Sequence, residues 1–440
     1  MDMNKMRLTL MGTCLVVGLA GVASLPTRVG DWQVEADGVA FTIAPEPLVR
    51  ITGERMVALP EKPKDGWRTG GWRRGTRLKE LIAYECSVAG ALVPESVVVR
   101  AADGTVLTDG RDYELEKTWA AVARLAGGRI GPSDAVFVDY AYRPQRLDRL
   151  VRAADGRPAL RKGVAKASNP VLPALASGDV PLATIWLDGK TTKLEARNFY
   201  PVLETAFPES RTPGPSVAER LLPKTYGKLV RGEPVTVLAW GDSVTDGNFL
   251  PEHDRWQHQF VRRLRALFPK SAITLVNNGW GGRNTAAFLD EKQAPSGHPH
   301  NYVETVLGAK ADLVVMEFVN DCGLVRAEQV QTRYDRILGD LTARGAELCV
   351  LTPHYTRADW MGLADPTATT EDPRPYVRNL RAWCASRHVA LADAALRWGR
   401  LARQGLPYQT LLVNEINHPN ALGMSYFADA LMALFRMGRE

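Results

Sequence analysis

A doubly wound α/β architecture, built on a parallel five-stranded sheet, is what the second half of this chain predicts. Three observations point to it. Short apolar runs rich in β-branched residues recur at 235–240, 272–277, 313–318, 348–352 and 389–392. Between them, apolar residues fall at helical spacing: Trp256, Phe260, Leu264 and Leu267, then Val330, Tyr334, Ile337 and Leu341, then Val377, Leu380 and Cys384. Repeated strand–helix–strand units need right-handed crossovers, which place helices on both faces of a parallel sheet. A last stripe, Phe427, Leu431, Leu434 and Phe435, predicts a closing amphipathic helix.

The first half reads differently. From 31 to 205 the runs 96–99, 135–142 and 180–187 are rich in β formers, and Asp103-Gly104, Asp109-Gly110, Asp155-Gly156 and Asp188-Gly189 punctuate them as turns. Helical period is scarce, so this stretch predicts an all-β accessory domain, a sandwich or a similar unit. Pro181 falls at the start of its strand, where a missing N–H is tolerated. Residues 206–233, with Pro208, Pro213, Pro215 and Pro223, read as a linker, which leaves 234–440 for the α/β domain. At 440 residues the chain exceeds one core of usual size, as two domains require.

The 55 basic residues exceed the 49 acidic ones by 6, too mild a surplus to imply a nucleic-acid partner. The stretch 67–77 interleaves Trp67 and Trp72 with arginines. It reads as a solvated loop, with single-stranded nucleic acid or an acidic polysaccharide as the alternative ligands. Lys5 and Arg7 precede an apolar run from Leu8 to Ala23 that ends in small residues, the pattern of a signal peptide over 1–24. The expectation is an exported protein, periplasmic or extracellular, with no membrane span after cleavage; an uncleaved anchor is the alternative. Beyond that segment, Cys86, Cys322, Cys349 and Cys384 show no zinc-type spacing and read as buried thiols.

Four segments then stand out at strand ends or before the last helix. They are Gly241-Asp242-Ser243, Asn277-Asn278-Gly279-Trp280-Gly281-Gly282, Phe318-Val319-Asn320-Asp321 and Glu415-Ile416-Asn417-His418. The carboxyl ends of parallel strands share one edge, so these segments converge there. A serine needs an adjacent base, histidine suits that duty near neutral pH, and an oxyanion needs aimed donors. No Gly-x-Ser-x-Gly elbow surrounds Ser243, which argues against the α/β-hydrolase type.

In this order the four segments resemble the blocks of the SGNH, or GDSL-like, hydrolases. The resemblance covers the C-terminal half and implies a flavodoxin-like five-stranded fold. It implies Ser243 as nucleophile, His418 as base and Glu415 as the acid that orients it. The backbone N–H groups of Ser243 and Gly282 and the amide of Asn320 would form the oxyanion hole. Two residues depart from the pattern: Phe318 stands where the third block usually begins with glycine, and Glu415 where the acid is usually aspartate.

The implied activity is ester hydrolysis through an acyl-enzyme, with no metal or organic cofactor. Expected substrates are small-molecule or polysaccharide esters, O-acyl groups on carbohydrate first. The alternatives are a lipase or lysophospholipase, or a carbohydrate-binding protein with a weak hydrolase domain. Trp280 and His354 are expected to line the substrate cleft. His298 and His300 read as surface or structural histidines, and Asp242 and Asp321 as braces of the loops.

Overall fold

The structure is a computed structural model that describes residues 25–436, apart from 65, 67–74, 210–213 and 369. The expected signal segment, and all of the Trp-Arg stretch but its last three residues, lie outside the described residues.

Five parallel strands form the C-terminal sheet: β1 (Val235–Gly241), β2 (Ile273–Gly279), β3 (Leu313–Glu317), β4 (Glu347–Leu351) and β5 (Ala390–Ala392). Their order is β2-β1-β3-β4-β5, which makes β1 a central strand whose loop opens beside those of β2 and β3. The helices are α1 (Ser243–Asp246), α2 (Trp256–Leu267), α3 (Ala327–Ala343), α4 (Pro375–Arg387) and α5 (Ala421–Ala433).

Alternate residues of β1 enter opposite cores. Val235, Val237 and Ala239 join α2 and α5, whereas Leu238 and Trp240 join α3 and α4. That two-sided burial is why the run, Thr236 apart, is apolar rather than alternating. The predicted stripes are buried except Leu267, which is 47% exposed at the end of α2.

The strand-rich first half contains several small antiparallel sheets. The sheet of Val49–Val57, Ala135–Tyr142 and Leu92–Ala101 shares one apolar cluster with strands Tyr113–Glu116 and Ala121–Arg124. A second cluster joins Gln33–Ala36 to Arg146–Arg152 and Val180–Leu187.

The stretch expected to be an irregular linker carries two helices, Val217–Leu221 and Pro223–Arg231. Ala218, Leu222 and Leu229 pack into the α/β core, and Pro223 occupies the first turn, where a proline lacks no partner. Pro223 therefore marks a helix start here rather than a loose spacer. No helix among the described residues is long and apolar enough to cross a membrane.

Candidate active site

The carboxyl end of β1 packs closely against its neighbours because Gly241 has no side chain. A Cβ there would lie 2.1 Å from Thr245 Oγ1 and 2.2 Å from the Glu317 carbonyl oxygen, which no side chain could share. Asp242 then caps α1, accepting the Val244 N–H at 3.0 Å, and its other oxygen accepts the Asn320 N–H at 2.9 Å. One buried carboxylate thereby fixes the loop after β1 to the loop after β3. Burial pushes its pKa up to about 7 despite those donors. Glu317 beside it is also raised well above the usual range, first by burial and then by the charge of Asp242.

Ser243 opens α1, so its backbone N–H has no partner within the helix. Across from it, the turn that carries His418 is organised by Asn414. The fully buried Asn414 side-chain oxygen accepts the N–H groups of Ile416, Asn417 and His418 at 2.9–3.0 Å. A Val413 N–H bond to the His418 carbonyl, 2.7 Å, closes the turn. The result places His418 Nε2 3.0 Å from Ser243 Oγ, within reach for proton transfer. The Phe249 ring stacks on the imidazole at 4.4 Å and 2°, which fixes its plane.

The other imidazole nitrogen, Nδ1, lies 3.0 Å from Oε1 of Glu85. That is an ion-pair distance, with the N–H not squarely aligned on the oxygen. Glu85 sits at the tip of a short hairpin between Ile82–Ala83 and Cys86–Ser87 in the first half of the chain. Beside it, Tyr84 presents its ring edge-on to His418 at 6.3 Å.

Between these elements opens a cleft of about 340 Å³, lined by Tyr84 and Glu85 from the first half and by Ser243, Phe249, Gly282 and His418 among others from the second. Asn320 also lines it and donates one amide hydrogen to the Arg283 carbonyl at 3.1 Å, which orients the group and leaves its second hydrogen free. Gly282 adopts φ +71°, a conformation that disfavours other residues, so the loop after β2 can pass close to Ser243. Ser243, His418, Gly282 and Asn320 thus all reach one cleft.

Glu415 does not join them, and this corrects the expectation that it orients His418. Its backbone is left-handed, φ +61°, which turns its side chain away. Oε1 instead accepts Gln145 Nε2 at 3.0 Å, and the side chain borders a second cleft of about 350 Å³ between the two halves. Burial there pushes its pKa up to about 7.

His354 and Trp280 do not line the cleft either. His354 is fully buried against Trp398 and Phe427, and its ring Nε2 donates to the Asn417 carbonyl at 2.7 Å. Burial lowers its pKa well below the usual histidine value, so it is a neutral strut behind the turn that carries His418. Trp280 stacks on His300 at 4.9 Å and meets Phe288 edge-on, with Arg283 over its face. Phe318 likewise packs edge-on to Trp240 and Phe288, 1% exposed, and narrows nothing in the cleft.

Sequence spacing could not find Glu85, Tyr84 or Phe249. Phe249 follows Ser243 by one turn and a loop, with no period to mark it. Glu85 and Tyr84 arrive from another sheet system altogether. Among the described residues no group of three or more His, Cys, Asp or Glu side chains is arranged to hold a metal ion.

The five-stranded parallel sheet thus carries a serine and a histidine within hydrogen-bond distance at its carboxyl edge. Residues 239–426 match the model of the GDSL-like Lipase/Acylhydrolase family. No curated protein matches the chain.

Among solved structures, it is similar to a two-domain esterase (CEX) active on acetylated mannans, at 13% identity and a TM-score of 0.39 over 50% of this chain and 54% of that one. It is also similar to Axe2, an acetylxylan esterase from Geobacillus stearothermophilus, at 17% identity and a TM-score of 0.37 over 47% of this chain and 95% of that one. LAE5, an alpha/beta hydrolase enzyme from the metagenome of Lake Arreo, Spain, has 20% identity and a TM-score of 0.37 over 47% of this chain and 97% of that one. The chain therefore spans about half the length of the first of these.

Proposed function

We propose that the protein is a serine ester hydrolase that removes short O-acyl groups from carbohydrate, with Ser243 as nucleophile and His418 as base. The observation that carries it is the 3.0 Å separation of Ser243 Oγ and His418 Nε2 inside a cleft. His418 takes the serine proton as Oγ attacks the ester carbonyl, and returns it to the departing alcohol as the acyl-enzyme forms. Water, activated by the same imidazole, then attacks the acyl-enzyme and releases the acid. The N–H groups of Ser243 and Gly282 and the Asn320 amide receive the oxyanion.

The cleft supports a short acyl group on a sugar. Its lining carries the rings of Tyr84 and Phe249 but no aliphatic side chain among the described residues, so a long acyl tail would find little to bury against. Asp246, Asn248 and Asn417 offer polar groups in the lining suited to hydroxyls. Export by the segment 1–24 is part of the proposal.

The test is hydrolysis of a short-chain p-nitrophenyl ester and of acetylated glycans by wild type, Ser243→Ala and His418→Ala. Loss of turnover in both variants supports the assignment. Equal rates in all three would sink it, and preference for long-chain acyl lipids would overturn the carbohydrate part.

A further inference from the structure

We propose that Glu85, carried by the strand-rich first half, is the carboxylate that positions His418, so that the two halves of the chain complete one site. The proposal deepens, and rests on, the assignment of Ser243 and His418 as nucleophile and base.

The geometry puts the acid in reach and holds it there. Glu85 Oε1 lies 3.0 Å from His418 Nδ1, on the side of the ring opposite Ser243. The same oxygen accepts Asn414 Nδ2 at 3.3 Å, so the residue that shapes the histidine turn also tethers the acid. Tyr84 holds φ +52°, rare for a tyrosine, and that kink forms the two-residue tip carrying Glu85. Its ring closes on both Phe249 and His418, at 6.1 and 6.3 Å. Consecutive residues of one hairpin thus meet the same imidazole.

The hairpin is not a loose flap. Arg77 Nη1 donates to the Cys86 carbonyl at 2.9 Å, and Val88 N–H to the Leu81 carbonyl at 2.9 Å. Cys86 and Trp119 of the first half form one buried cluster with Ile416, two residues before His418. Arg357 lies over the Trp119 ring at 4.8 Å and donates its N–H to the Ile416 carbonyl at 2.7 Å. Asn169 Nδ2 reaches the Val413 carbonyl at 3.1 Å. The histidine turn is therefore clamped to the first half at Val413 and Ile416.

Other carboxylates nearby are engaged elsewhere. Glu415 is held by Gln145, and Asp246, at the cleft rim, accepts from Asn248 Nδ2 at 2.8 Å. Glu85 acts on the reaction only through the imidazole: it keeps the proton on Nδ1, leaves Nε2 as the base, and stabilises the imidazolium formed as Ser243 attacks.

The test compares full-length Glu85→Gln, Glu415→Gln and Ser243→Ala on a short-chain p-nitrophenyl ester, with kcat, KM and thermal unfolding measured for each. A buried orienting acid is worth roughly 10⁴-fold in kcat. Glu85 is 38% exposed and so partly screened, and its loss should cost about 10²-fold, with KM and the melting temperature unchanged. Glu415→Gln should leave kcat within about twofold of wild type.

Wild-type kcat in Glu85→Gln, with Ser243→Ala inactive, would overturn the proposal. So would an equal loss in both glutamine variants, since each would then act only by joining the halves. Wild-type turnover in Ser243→Ala would instead sink the serine assignment itself.

Discussion

The two halves of the molecule meet at His418, and they treat it differently. The α/β half supplies Ser243 at the end of β1 and Asn320 after β3, where Gly241 and Asp242 leave Ser243 one place to be. The strand-rich half supplies the surroundings: a carboxylate, a ring edge and the apolar cluster behind the turn. The contrast is sharpest between the two glutamates. Glu415 is close in sequence, yet its left-handed backbone sends it into the seam between the halves. Glu85 is remote in sequence, yet its hairpin tip faces the ring. Nearness along the chain sets candidates for a contact, whereas backbone conformation and packing choose among them.

Removing the nucleophile tests the α/β half most severely. Ser243→Ala should lower kcat for a short-chain ester by roughly 10⁴–10⁶-fold with little change in KM; retained turnover would leave the strand ends without a role. Next is Asn320→Ala, which removes one oxyanion donor and should cost about 10²–10³-fold in kcat. A loss confined to KM would show that the amide binds ground state and transition state alike.

The strand-rich half is tested next through the seam. Ile416 is fully buried against Cys86 and Trp119, so Ile416→Ala should cost about 2–5 kcal/mol of stability in denaturant unfolding. A change below about 0.5 kcal/mol would mean that the halves do not fold against one another.

The smallest effect concerns Glu415. Its pKa is raised to about 7 from 4.5, so the unfolded chain ionises first as pH climbs. Its burial then weakens the fold progressively between about pH 4.5 and 7, and that loss is complete above the folded value. Glu415→Gln should flatten this part of the stability–pH curve while activity stays near wild type. An unchanged curve would place the carboxylate in solvent.

Much of the α/β half was legible in the sequence because its physics is local. A strand buried on both faces is apolar almost throughout, as 235–240 is but for Thr236, and a helix against a sheet shows a stripe, as Val330, Tyr334, Ile337 and Leu341 do. Parallel strands then bring Ser243, Gly282, Asn320 and His418 to one edge without further information. The same rule misled for His354 and Trp280. Lying at the sheet edge does not put a side chain in the cleft, and apolar neighbours drew both rings inward. The helices at 217–231 were hidden by their prolines, and Glu85 by a contact that exists only once two separately patterned halves have docked.

The most direct test of the account is to label the protein with an organophosphate ester and locate the adduct by mass spectrometry. The expected outcome is one phosphorylated residue, Ser243, with labelling abolished in Ser243→Ala and slowed in His418→Ala. An adduct on another residue, or an active enzyme that takes up no label, would contradict the claim that Ser243 and His418 act as one nucleophilic pair.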